Sequence, residues 1–138
     1  MSIAIRDVGE HDLDSVLALN NSAGQSILPL DAERVRFFMR HADYFRVAEV
    51  DGQMAGFLIA LRPGTPYGSS NYRWFCEHFE DFLYIDRIVV ASSRRGAGLG
   101  KVFYADVTSY AEVRVPTLAC EVFLEPRNDA ALLFHGTY

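Results

Sequence analysis

The stretch Tyr84-Ile85-Asp86-Arg87-Ile88-Val89-Val90-Ala91-Ser92-Ser93-Arg94-Arg95-Gly96-Ala97-Gly98-Leu99-Gly100-Lys101-Val102-Phe103-Tyr104 decides the fold. An apolar, β-branched run leads into a short polar link, then into glycines at alternate positions, then into an amphipathic helix. A strand, a glycine-rich turn and a helix start together make an anion site. Amides at a helix N-terminus have no intrahelical acceptor, and the helix dipole favours negative charge there. Glycines remove the side chains that would hold a phosphate away from those amides. A phosphate-bearing ligand is therefore expected at residues 95–101.

The surrounding composition narrows the class. A chain of 138 residues suits a single domain, here taken as 1–138. With a net charge of -5, no general nucleic-acid or acidic-membrane binding is expected. Cys76 and Cys120 cannot build a disulfide framework and are expected as free thiols. No signal peptide follows Met1, and no apolar run approaches the ~20 residues that cross a bilayer. A cytoplasmic protein is the expectation. No His, Cys or acidic grouping has metal-ligand spacing, so no metal is expected.

Outward from the opening stretch, Ile3 and Ile5 alternate as a first strand. Leu13, Val16, Leu17 and Asn20 lie on one side of a helix over about 10–21, and Asp31 is an N-cap candidate for a second. Two β-rich runs, 44–50 and 53–61, flank Asp51-Gly52, a strong hairpin signal. Residues 62–82 are broken by Pro63, Gly64, Pro66 and Gly68 and carry six aromatic rings. This fits either a binding loop or a cover that finishes the core. The strand at 82–90 and the helix to about Val113 come next. Leu118, Cys120, Val122 and Leu124 alternate in another strand. Asn128 is expected to cap a last amphipathic helix carrying Ala130, Leu133 and Phe134.

Three glycine motifs compete at 95–101. A Walker loop needs four residues between its glycines and a hydroxyl after its lysine; Gly96 and Gly100 have three between them, and Val102 follows Lys101. A dinucleotide fingerprint needs Gly-x-Gly-x-x-Gly, and the third position from Gly96 and Gly98 is Lys101. Arg95-Gly96-Ala97-Gly98-Leu99-Gly100 does match Gln/Arg-x-x-Gly-x-Gly/Ala, and so resembles the coenzyme A signature of the GNAT superfamily of N-acetyltransferases. Ile88 to Gly96 resembles that family's strand, link and arginine-glycine turn. Asn128 to His135 resembles its Asn-x-x-Ala-x-x-Leu/Phe-Tyr segment.

The resemblance implies a mixed α/β fold, a mostly antiparallel sheet with helices on both sides. It implies acetyl transfer from acetyl-coenzyme A to an amine. Arg95, Gly96, Ala97, Gly98, Leu99, Gly100 and Lys101 would hold the pyrophosphate. Backbone groups near Ile88, Val89 and Val90 would hold the pantetheine arm and the acetyl carbonyl, a form of β-augmentation, and Asn128 would reach the same arm.

Transfer needs a deprotonated amine, a polarised thioester carbonyl and a proton for the thiolate. The family commonly uses a tyrosine for the thiolate where this chain has His135. His135 fits a proton donor or a residue complementing a helix C-terminal dipole, and Tyr138 is the substitute donor. For the amine the candidates are Tyr84 and Asp86, expected on one strand face with Arg87 on the other. A structural ion pair is the competing role for Asp86 and Arg87. The family usually continues past the last helix with two more strands. Their absence here leaves 117–124 as an expected exposed edge, open to homodimer contacts. The acceptor is expected to be a small amine or amino acid-like molecule. The alternatives are a coenzyme A-binding sensor on the same fold, or an enzyme acetylating protein lysines or N-termini.

Overall fold

A computed structural model describes residues 3–22, 29–91, 94, 98–124 and 127–135, with backbone alone from Cys120 on. The elements run β1 (Ile3–Asp7), a 3-10 turn (Glu10–Asp12), α1 (Leu13–Asn21), α2 (Ala32–His41), β2 (Tyr44–Val50), β3 (Gln53–Leu61), α3 (Ser70–His78), β4 (Leu83–Val90), α4 (Leu99–Glu112), β5 (Thr117–Leu124) and β6 (Arg127–His135). The six strands form one sheet in sequence order. Every neighbouring pair is antiparallel except β4 and β5, which are parallel because α4 carries the chain back between them. This is the mixed, mostly antiparallel α/β architecture read from the sequence.

Local chemistry accounts for the elements. Asp31 accepts from the Arg34 amide at 2.8 Å and caps α2 as expected. Asp51 and Gly52 take φ of 52° and 84°, the left-handed pair that a two-residue hairpin demands, and β2 and β3 pair across them. One sheet face buries Leu13 and Val16 of α1, Val35 and Phe38 of α2, and Tyr72 and Phe75 of α3. The other buries Leu99, Phe103, Val107 and Ala111 of α4. Helices therefore cover both faces, and side chains alternating along β2, β3 and β4 supply both cores.

Two elements differ from expectation. Residues 70–78, within a stretch broken by prolines and glycines, form α3. Ser69 caps it by accepting from the Tyr72 amide, and Tyr72 and Phe75, at helical spacing, are buried beneath it. The stretch from Asn128 is not a helix. It is β6, paired antiparallel to β5 from Leu124↔Arg127 to Thr117↔His135. Pairing with β5 satisfies more backbone groups than a short isolated helix would. The expected exposed edge at 117–124 is thus covered by β6. Among the described residues no helix is long and apolar enough to cross a membrane.

Candidate active site

The site is built around an irregularity in β4. Against β3, Ile59 pairs with Arg87 and Ala60 with Ile85, which leaves Asp86 as the extra residue of a bulge. Bulges bend and twist a strand, and β4 parts from β5 at this point. The parallel ladder holds only Leu83↔Leu118, Tyr84↔Ala119 and Ile85↔Cys120, while pairing with β3 continues to Val90. From Asp86 to Val90 the β5 side of β4 therefore has no strand partner among the described residues. Ile88, Val89 and Val90 lie along this open split.

The bulge also resets the side-chain phase. Leu83 and Ile85 face α4, and Tyr84 faces α1–α3. Asp86 and Arg87 then share the α1–α3 side, before Ile88 returns to the α4 side and Val89 to the other. This corrects the expectation that strict alternation separates Asp86 from Arg87. Arg87 Nε donates to Asp86 Oδ2 at 2.7 Å, and Arg87 Nη1 donates to Asn20 Oδ1 at 3.0 Å. Tyr67 Oη donates to Asp86 Oδ1 at 2.5 Å. The Asp86 side chain is 2% exposed and that of Arg87 7%. Burial, then the Asp86 charge, pushes the Tyr67 phenol above its ordinary value, so it stays a neutral donor.

Asn20 Nδ2 donates to Asn21 Oδ1, and Asn21 clasps the Leu30 backbone through Leu30 N→Oδ1 at 2.8 Å and Nδ2→O at 2.9 Å. The bulge is thereby tied to the entry of α2. Across from it, Tyr72 Oη donates to Arg62 O at 2.6 Å and accepts from the Thr65 amide at 3.1 Å, holding the segment that carries Tyr67. Between these walls lies a cleft of about 550 Å³ lined by Leu30, Arg34, Tyr67, Ser69, Ser70 and Arg87, among others. That is a volume for a small molecule. The stretch 62–82 thus serves both ways: Tyr72, Phe75 and Phe82 finish the core, and Tyr67 lines the cleft.

At the far end of the split, Gly98 caps α4 with φ 79°, the left-handed region that glycine adopts without strain. Among the described residues, a Cβ built on Gly98 or on Gly100 would meet nothing within 4 Å, which suits a close approach of a ligand to the backbone there. Leu99 beside it is buried and anchors the helix start, while Lys101 is exposed. These features fit a phosphate group in the cradle expected for coenzyme A. Gly56 governs the neighbouring strand: its Cβ would lie 2.7 Å from Val89 O, so only glycine lets β3 approach β4 this closely.

The other expected residues fall as follows. Tyr84 is fully buried, its ring 5.6 Å from Tyr72 and 5.8 Å from Phe75, a core position rather than a cleft wall. Asn128 pairs with Phe123 and His135 with Thr117, at opposite ends of β6, where helical positions were expected. Arg95, Gly96, Ala97 and Tyr138 lie outside the described residues. Among the described residues no group of three or more His, Cys, Asp or Glu side chains could hold a metal ion. Tyr67, Arg34, Arg87 and Asn20 were missed as site residues. The one local signal was a consecutive Asp-Arg pair inside an apolar strand.

A family model described as "Acetyltransferase (GNAT) family" matches residues 13–136. A search of curated proteins finds no significant match. Among solved structures, Ard1 from Thermoplasma volcanium superposes with a TM-score of 0.71 at 17% identity, over 91% of this chain and 74% of that one. The ribosomal-protein-S18-alanine N-acetyltransferase from Escherichia coli gives 0.64 at 18% identity, over 91% and 70%. Diaminobutyrate acetyltransferase EctA from Paenibacillus lautus, in complex with L-2,4-diaminobutyric acid and coenzyme A, gives 0.64 at 21% identity, over 88% and 66%. At these identities the likeness is one of fold.

Proposed function

The chain belongs to the GNAT family of acetyltransferases, and on that premise we propose that it moves an acetyl group from acetyl-coenzyme A directly to the primary amine of a small acceptor. The observation that carries this is the β4 bulge at Asp86, which opens a strand split and adjoins a small-molecule cleft. Open backbone at Gly98 and Gly100 supports a pyrophosphate site with Arg95, Gly96, Ala97, Leu99 and Lys101. Main-chain groups on the β5 side of Ile88, Val89 and Val90, which have no strand partner among the described residues, are suited to hold an extended arm by hydrogen bonds and to polarise the thioester carbonyl. Acetyl-coenzyme A supplies the activated acetyl group.

The chain's own residues then have separable tasks. In the transfer, the amine nitrogen bonds to the carbonyl carbon as the carbon–sulfur bond breaks, and one proton must leave the nitrogen as one joins the sulfur. Tyr67 Oη already donates to Asp86, so its oxygen is free to accept an amine proton while its own passes to the carboxylate. Asp86, with Arg87 and Asn20 behind it, fixes that hydroxyl. By the sequence resemblance alone, His135, with Tyr138 as the substitute, is the candidate for the thiolate proton. Cys76 and Cys120 need no role, because no covalent intermediate is required. The volume of the cleft, lined by Tyr67, Ser69 and Ser70 among others, favours a small acceptor over a peptide.

The test is free-thiol release from acetyl-coenzyme A across a panel of primary amines. Amine-dependent release is expected. Coenzyme binding without release from any amine would leave a sensor, and release only with lysine peptides would leave a protein-acetylating enzyme.

A further inference from the structure

Acetyl transfer requires only an amine in the cleft, yet two guanidinium groups line it, Arg34 from α2 and Arg87 from β4, and none of its described lining residues is acidic. Arg87 is matched at 2.7 Å by Asp86 behind it. Arg34 is not matched: among the described residues its guanidinium has no ion pair, and it lies over the Phe37 ring, 5.4 Å from the centroid. That stacking holds the planar group without neutralising it. A plain alkyl ammonium entering this cleft would meet cation against cation. An acceptor bearing an anion as well as its amine would not.

We propose that the acceptor of this enzyme carries a carboxylate in addition to its amine, and that Arg34 binds the carboxylate while the amine lies toward Tyr67 and Asp86. The inference rests on the acetyl-transfer proposal for the amine and stands on the cleft's own charge for the anion. A carboxylate matches the planar fork of a single guanidinium in bidentate fashion. A dianion such as a phosphate would call for more compensating charge than one unpaired arginine. The cleft of about 550 Å³ has room for an amino acid-sized molecule. Ser70, which also lines the cleft, adds a hydroxyl that can donate to a carboxylate oxygen.

The experiment compares matched pairs, each an amino carboxylate and its amide on one carbon skeleton, in steady-state thiol release by the wild type and Arg34→Gln. The carboxylate member is expected to have a KM lower by about tenfold, and the variant should erase that ratio. Arg34 is exposed, so the variant is expected to fold, and its melting curve checks this. Calorimetric titration of the same pairs, into the protein alone and saturated with coenzyme A, makes the comparison independently of turnover. Carboxylate binding lost in Arg34→Gln supports the anion site even where no thiol is released, in which case the transfer proposal alone fails. Turnover or binding that ignores the carboxylate overturns the anion site and leaves the transfer proposal intact. So does an absence of carboxylate binding in both titrations.

Discussion

Asp86 and Arg87 are consecutive residues of one strand, yet their side chains lie on the same face of the sheet and meet at 2.7 Å. The bulge makes this possible, and burial makes it consequential. Removing one partner leaves a buried charge uncompensated, whereas removing both does not. Asp86→Ala is therefore expected to lose about 3 kcal/mol of stability in urea unfolding. The double replacement Asp86→Leu with Arg87→Met is expected to recover much of that loss. An Asp86→Ala variant as stable as the wild type would show that the pair is not buried as described.

Gly98 begins α4 in a left-handed conformation, and no described residue lies within 4 Å of a Cβ built there. Valine at this position strains the backbone by about 1–3 kcal/mol and puts methyl groups where a phosphate would approach. Gly98→Val is expected to keep its circular dichroism and to lose acetyl-coenzyme A binding by at least about tenfold in calorimetry. Undiminished binding would remove Gly98 from the cradle.

Gly56 has a different constraint, because its φ is not the issue and the neighbouring backbone is. A Cβ 2.7 Å from Val89 O must displace β3 or β4. Gly56→Ala is expected to cost about 2 kcal/mol or more, read as a lower thermal midpoint. Because Val89 borders the split, coenzyme affinity is expected to fall with it.

Much of the fold was legible because its signals are local. Asp31 as a cap, Asp51-Gly52 as a hairpin and Leu99-Phe103-Val107 as a buried helix face each depend on a few neighbouring residues. What was not legible depends on pairing partners. Nothing within 127–135 distinguishes a helix face from a strand; β5 decides it. The phase change at Asp86 is set by β3, and alternation alone could not reveal it. The cleft gathers Arg34, Tyr67 and Arg87 from three separate segments, so no motif spacing announces it. Ser69 with Tyr72 and Phe75 was a readable cap and helix face, obscured by the prolines and glycines before it.

Acid stability has an identifiable contributor away from the cleft. Arg6 Nη1 and Nη2 donate to Asp12 at 2.8 and 2.9 Å, and the Gly9 amide donates at 2.7 Å. The Arg6 bonds foremost hold the Asp12 carboxyl below its usual range, against the opposing effect of burial. A lowered folded-state pKa means stability that is present above the unfolded value of about 3.9 and is lost as pH falls through the folded one. Asp12→Asn is expected to melt lower than the wild type at pH 7, and the gap is expected to narrow below about pH 4. A gap constant with pH would contradict the ionic origin of the contribution.

The central claim is that the coenzyme occupies the β4–β5 split and the start of α4. Amide hydrogen exchange with and without acetyl-coenzyme A tests this most directly. Slowed exchange is expected at residues 86–90 and 98–102, with β1 and β2 unchanged. Binding that leaves 86–90 and 98–102 exchanging as before, or no binding at all, would contradict it.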